Sequence, residues 1–60
     1  MSALNQMEVN AIREIVCAHH MAAQKLSDYE TRCQDTKIRD MFSEAAQEAK
    51  KSAKDLTDML

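Results

Sequence analysis

The stretch from Glu30 to Phe42 is the only part of the chain where one helical pattern of apolar residues stops and another begins. The sequence contains no Gly and no Pro, so neither of the two strongest helix breakers interrupts the chain on either side of this stretch. We therefore predict a helix over about 3–33, a turn over about 34–35 and a second helix over about 36–59. Residues 1–60 then form one all-α domain, a two-helix antiparallel hairpin.

Two polar residues are suitable caps for these helices. Ser2 precedes the first helix, and its hydroxyl can accept a hydrogen bond from a free backbone amide of the first turn. Asp35 precedes the second helix, where its carboxylate can accept from the amide of Lys37 or Ile38 and favours the positive end of the helix dipole. The turn is thus specified without glycine.

Apolar residues recur at steps of three and four in both halves, which is typical of helix faces that pack on a neighbour. In the first helix the predicted inward positions are Val9, Ile12, Ile15, Val16, His19, Ala22, Ala23, Leu26, Tyr29 or Glu30, and Cys33. In the second helix they are Ile38, Phe42, Ala45, Ala49, Ser52, Leu56 and Met59, flanked by Met41, Ala46, Ala53 and Leu60. The small residues in the middle of the second stripe indicate a close approach to another helix.

A chain of 60 residues buries little apolar surface and usually needs a further source of stability. Two cysteines are too few for a disulfide framework, and their spacing does not match a structural zinc site. We therefore predict that the hairpin homodimerises into a four-helix bundle, in an orientation that the sequence leaves open. The predicted dimer interface consists of Leu4, Val9, Ile12, Val16, His19, Ala45, Ala49, Ser52 and Leu56.

Charge and hydropathy exclude several classes of partner. The net charge is −2, and acidic and basic residues alternate along both halves, so no basic stripe is present to bind nucleic acid. No run approaches the roughly 18 to 20 apolar residues that a membrane span needs, and the N-terminus does not resemble a signal peptide. We expect a cytoplasmic protein with no membrane partner.

The sequence argues against a ferritin-like di-iron enzyme, because such sites need Glu-x-x-His pairs and none occurs here. His19 is the one polar candidate inside the apolar stripe. In a dimer it could bind a divalent metal together with Glu30 or Glu48. The more ordinary interpretation is a structural histidine, bonded to Ser52 or to a backbone carbonyl. We therefore expect no catalytic residue, no cofactor and no metal.

At the reversal, Asp35-Thr36-Lys37 is followed by Ile38-Arg39-Asp40-Met41-Phe42. This segment resembles the Coat F family of bacterial spore coat proteins, in which a short polar turn precedes a hydrophobic-Arg-x-x-Phe helix start. His20, about 20 residues before the Phe, and the apolar end Leu56-Thr57-Asp58-Met59-Leu60 are also similar to that family. The resemblance implies a ferritin-like architecture, a small coat-associated packing protein and a location in the spore coat.

The sequence thus predicts a small non-enzymatic structural or interaction protein that acts as a homodimeric helical bundle. One alternative is a metal-binding half-bundle that uses His19 and carboxylates of the second copy. Another is an adaptor that offers its apolar face to a different helical protein.

Overall fold

The computed structural model describes residues 3–60, which form two α-helices joined by a short turn. Helix α1 spans Gln6–Arg32 and helix α2 spans Thr36–Thr57. The two helices run antiparallel, since Tyr29 near the end of α1 contacts Phe42 near the start of α2. The predicted all-α hairpin is confirmed. Within the described residues, neither helix is long and apolar enough to cross a membrane.

Helix α1 begins at Gln6, about three residues later than the sequence pattern predicts. Asn5 is its cap: the side-chain oxygen of Asn5 accepts from the backbone amide of Glu8 at 2.8 Å. In return, a carboxylate oxygen of Glu8 accepts from the backbone amide of Asn5 at 3.0 Å. This reciprocal pair satisfies two amides at once, which explains why the helix starts here. The predicted cap Ser2 lies outside the described residues.

The turn at residues 33–35 is fixed by its neighbours in the chain. As predicted, Asp35 caps α2, and its carboxylate accepts from the backbone amide of Ile38 at 2.9 Å. The Nε and Nη2 atoms of Arg39 both donate to the backbone carbonyl of Cys33, at 3.1 and 2.8 Å. The rings of Tyr29 and Phe42 join the two helices just beyond the turn, with centroids 5.9 Å apart.

Three alanines form the centre of the seam between the helices. Among residues 3–60, only Ala23, Ala46 and Ala53 are nearly inaccessible to solvent, with exposed fractions of 3%, 3% and 0%. Ala46 and Ala53 are seven residues apart and therefore lie on the same face of α2. Because a methyl group is small, the two backbones can approach closely along this line.

This seam corrects the predicted orientation of α2. The sequence pattern places Ile38 and Met59 on the inward face, yet their exposed fractions are 46% and 56%. The flanking residues Ala46 and Ala53 occupy the centre instead. The helix is rotated towards them because they permit the shortest distance between the helices.

A similar correction applies to α1. Ile15 and Ala22 were predicted to face inward, yet both are exposed, Ile15 to 47%. Of the alternatives Tyr29 and Glu30, Glu30 is half-buried and Tyr29 is 52% exposed. A single neighbouring helix covers only a narrow strip of α1, and the apolar stripe of α1 is wider than that strip.

The hairpin is a single layer of two helices. Its dimensions are 46 × 17 × 10 Å, and the shortest of them is the thickness of one helix. The radius of gyration is 14.3 Å, whereas a compact chain of this length has about 10 Å. Since stable domains pack at least two layers of secondary structure, one side of this layer is left without its partner layer.

We predict that Asp35→Ala lowers the unfolding free energy by about 1 kcal/mol, because the first turn of α2 loses the acceptor for the Ile38 amide. Thermal unfolding followed by circular dichroism, at fixed protein concentration, measures this effect. Asp40→Ala removes the same charge from an exposed site in the same helix and should change stability much less. Equal effects of the two substitutions would contradict the capping role.

Candidate functional site

The candidate functional site is a surface on one side of the hairpin, which we call the apolar face. Its members on α1 are Ala11, Ile15, Ala18, Ala22 and Tyr29, and its members on α2 are Ile38, Met41, Ala45, Ser52 and Met59. All are exposed except Ala45 and Ser52, which are half-buried. The largest are at least 46% exposed, a high value for side chains of this type.

Helix geometry places these two rows on the same side of the layer. In α1 the row Ile15, Ala22 precedes the seam residues Val16 and Ala23 by one position each. In α2 the row Ala45, Ser52 likewise precedes the seam residues Ala46 and Ala53 by one position. Two antiparallel helices are related by a two-fold axis perpendicular to the layer. Rotation about this axis swaps the helices but keeps each side of the layer in place, so equivalent rows of α1 and α2 lie on the same side.

The opposite side of the layer has a different character. The positions that follow the seam by one residue are Cys17, Gln24 and Thr31 in α1 and Gln47 and Lys54 in α2. Four of these five residues are polar or charged, whereas the equivalent row of the apolar face contains Ser52 as its only polar member. The hairpin is therefore amphipathic as a whole, with a wet side and an apolar side.

The amount of exposed surface is also large. The accessible surface of the chain is 4928 Å². A folded monomer of 6.8 kDa is expected to expose about 4,000 Å². The hairpin therefore exposes about 1,000 Å² more than a compact monomer of its mass. This excess is total surface, polar and apolar together, and it reflects the extended single-layer shape of the hairpin.

Each of the nine residues predicted for the dimer interface is half-buried in the hairpin itself. They are Leu4, Val9, Ile12, Val16, His19, Ala45, Ala49, Ser52 and Leu56. One helix thus covers part of each side chain and leaves the rest accessible. The sequence pattern missed the fully exposed members of the apolar face, notably Ile15 and Tyr29, because it assigned the whole stripe of α1 to the seam. These residues can be identified because each of them directly precedes a residue of the seam in the sequence.

His19 lies at the edge of the seam, where its Nδ1 atom is 2.8 Å from the backbone carbonyl oxygen of Ile15. This contact agrees with the structural interpretation, in which the ring N–H donates to a carbonyl of its own helix. Glu30 is eleven residues further along α1, about 16 Å at the helical rise, so the two side chains do not converge within one chain. Among residues 3–60 no cluster of three metal-ligating side chains occurs. Whether His19, Glu30 and Glu48 meet a metal in a dimer stays a prediction.

The wet side carries a shallow groove of about 560 Å³ between α1 and the end of α2. It is lined by Arg13, Val16, Cys17, His20, Met21, Gln24, Thr57 and Leu60. Cys17 is exposed and Cys33 is half-buried, and both are free thiols. The wet side is not uniformly polar, since Met21 and Leu60 are 60% and 56% exposed along this groove.

Exposed ion pairs follow the helices at steps of four residues. Arg32 lies 3.7 Å from Asp28, Lys51 lies 2.7 Å from Asp55, and Lys54 lies 2.8 Å from Asp58. The hydrogen bond from Lys54 to Asp58, together with the negative charge of Asp58, raises the pKa of the Lys54 ammonium above its ordinary value. These pairs are solvated and contribute little to stability, so they mark a helix surface rather than a chemical site.

Comparison with known proteins found no matching family model, no similar curated protein and no similar solved structure. The resemblance to the Coat F family therefore stays a prediction. Arg39, one of the residues that carries it, has a structural role of its own as the donor to the Cys33 carbonyl.

We predict that His19→Leu leaves the unfolding free energy unchanged or raises it, because an apolar side chain replaces a ring at the edge of the seam. His20→Leu is the matched control on the wet side and should have no effect on packing. Chemical denaturation measures stability, and metal analysis of protein purified without chelator measures any bound metal. A metal that is present in the parent protein and absent from His19→Leu would favour the metal-site interpretation.

Proposed function

We propose that this protein is a non-enzymatic assembly module whose apolar face binds a second copy of the same chain. Two hairpins stacked through this face form a four-helix bundle of the ferritin-like type, and the bundle serves a structural or interaction role. The observation that carries the proposal is the inverted distribution of apolar bulk: the buried centre consists of alanines, while Ile15, Tyr29 and Met41 are exposed.

The energetic argument follows from side-chain size. Burying a methyl or methylene group contributes about 0.8 kcal/mol, whereas full burial of a Leu, Ile, Met or Phe side chain contributes about 1.5 to 3 kcal/mol. In the single hairpin the nearly inaccessible side chains are three alanine methyl groups, and the large side chains of the apolar face stay 46% to 61% exposed. A second layer over the apolar face would add the apolar stabilisation that these large side chains still lack.

The size of the exposed surface matches what a second copy can cover. A standard protein interface buries about 800 Å² on each partner. The surface that the hairpin exposes beyond a compact monomer is about 1,000 Å², which is enough for an interface of that size. A second hairpin also turns the single layer into two, which is the usual minimum for a folded domain.

The shape of the face suits helical packing. Its middle carries Ala18, Ala22, Ala45 and Ser52, and its large residues stand nearer the two ends. Small residues in the middle allow two layers to approach to the 8–10 Å that packed helices prefer. A different helical protein is the alternative occupant, and the experiment below distinguishes it. If the resemblance to the Coat F family holds, the spore coat is where the assembly acts.

The test introduces the same charge on opposite sides of the layer. Ala22→Glu places a carboxylate in the middle of the apolar face, and Gln24→Glu places one on the wet side two residues away. Burying an unpaired charge costs about 3 kcal/mol or more, so Ala22→Glu should raise the dimer Kd about a hundredfold or more. Sedimentation equilibrium of both variants and of the parent protein measures this Kd.

We expect the parent protein and Gln24→Glu to have twice the mass of one chain at tens of micromolar, and Ala22→Glu to have the mass of one chain. Helicity of Ala22→Glu should fall as well, because the hairpin loses its second layer. A parent protein that is monomeric and fully helical in dilute solution would contradict the proposal and leave a different helical protein as the occupant.

A further inference from the structure

We infer that the two hairpins of the dimer lie with their turns at opposite ends of the bundle. This inference rests on the proposed dimer and adds its orientation. Two copies of one face can stack about either of two axes. If the two-fold axis runs across the helices, α1 lies on α1 of the second copy and runs antiparallel to it. If the axis runs along the helices, α1 lies on α2 of the second copy and the turns share one end.

The first argument is the charge along the outer edge of the apolar face. Glu14 stands in the N-terminal half of α1 and Lys25 in the C-terminal half, and neither makes an ion pair within residues 3–60. With turns at opposite ends, a two-fold axis near residue 20 brings Glu14 beside Lys25 of the second copy, twice in each dimer. With turns at the same end, α1 faces α2 of the second copy, so Glu14 and Lys25 of different copies do not meet.

The second argument is how large and small side chains face each other when the two α1 helices pair about residue 20. Antiparallel pairing about residue 20 places Tyr29 opposite Ala11 of the second copy, and it places Ala18 opposite Ala22. The largest residue of the α1 row thus meets one of the smallest, and two small residues meet at the centre. Such alternation of large and small groups across facing positions lets two layers interdigitate without voids.

The third argument is the length of α1. Tyr29 contacts Phe42, so Thr57, which lies fifteen residues further along α2, is near the level of residue 14, and the first turns of α1 extend past the end of α2. Met7 in this overhang is 68% exposed. With turns at the same end, the second copy's α2 stops at the same level and leaves the overhang uncovered. With turns at opposite ends, the C-terminal part of the second copy's α1 lies over it.

The decisive measurement is the distance between the two turns. A single label site is made by Gln34→Cys in a chain that also carries Cys17→Ser and Cys33→Ser, and nitroxide spin labels on this cysteine are measured by pulsed dipolar spectroscopy. Residue 34 lies 14 positions from the proposed axis, so turns at opposite ends give about 42 Å between labels at 1.5 Å per residue. Turns at the same end are separated only by neighbouring helices, and give less than about 25 Å.

Charge exchange supplies an independent readout. With turns at opposite ends, Glu14→Lys faces Lys25 of the second copy and should raise the dimer Kd roughly three- to tenfold, and the double variant Glu14→Lys, Lys25→Glu should restore it. With turns at the same end, residues 14 and 25 of different copies do not meet, so adding Lys25→Glu should not restore the Kd of Glu14→Lys.

These outcomes separate the inference from the proposal on which it rests. A label distance near 42 Å, with a Kd that Glu14→Lys raises and the double variant restores, supports the inference. A short distance, or a double variant that does not restore the Kd, overturns the orientation and leaves the dimer in place. A label sample with the mass of one chain and no distance between chains overturns both.

Discussion

The close approach of α1 and α2 along Ala23, Ala46 and Ala53 is the constraint on which the rest of the structure depends. Methyl groups at the centre bring the helix axes together, and this closeness leaves no room for larger side chains between them. The bulky apolar residues are consequently displaced to the margins of the seam and onto the apolar face. One packing choice thus explains both the narrow core and the unusual amount of exposed apolar surface.

The same constraint gives each side of the layer its character. Residues that precede the seam by one position are apolar or small in both helices, whereas those that follow it are mostly polar. Because the helices are antiparallel, the two apolar rows join into one surface instead of lying on opposite sides. The amphipathic unit is therefore the hairpin rather than either helix, and its natural complement is a second layer of helices.

The sequence predicted the features that depend on local interactions. The two helices, the turn and the Asp35 cap follow from apolar periodicity and from side chains within a few residues of one another. The start of α1 was also encoded locally, by Asn5 and Glu8, but the prediction assigned the cap to Ser2. The capping pair of residues spaced by three positions is the signal that identifies the correct start.

The rotation of the helices was not predictable in the same way. Ala45 and Ala49 fit the heptad pattern of α2 as well as Ala46 and Ala53 do, and only the packing of two whole helices selects between them. The exposure of Ile15 was not predictable for the same reason. Its apolar character favours burial, but does not specify whether the side chain is buried against α2 or against another layer. The sequence therefore predicted more apolar surface than one hairpin covers, while the exact members of the apolar face required the relative orientation of α1 and α2.

The two hydrogen bonds from Arg39 to the backbone carbonyl of Cys33 bear on the order in which the hairpin folds. The contacts that shape the turn join residues no more than six positions apart, so they form early and at little entropic cost. We then expect the two helices to pair progressively, from the residues next to the turn towards the far ends of the helices. In the proposed dimer, each molecule would thus acquire its bend before it meets a second copy, and the slow, concentration-dependent step would be the encounter of two preformed hairpins.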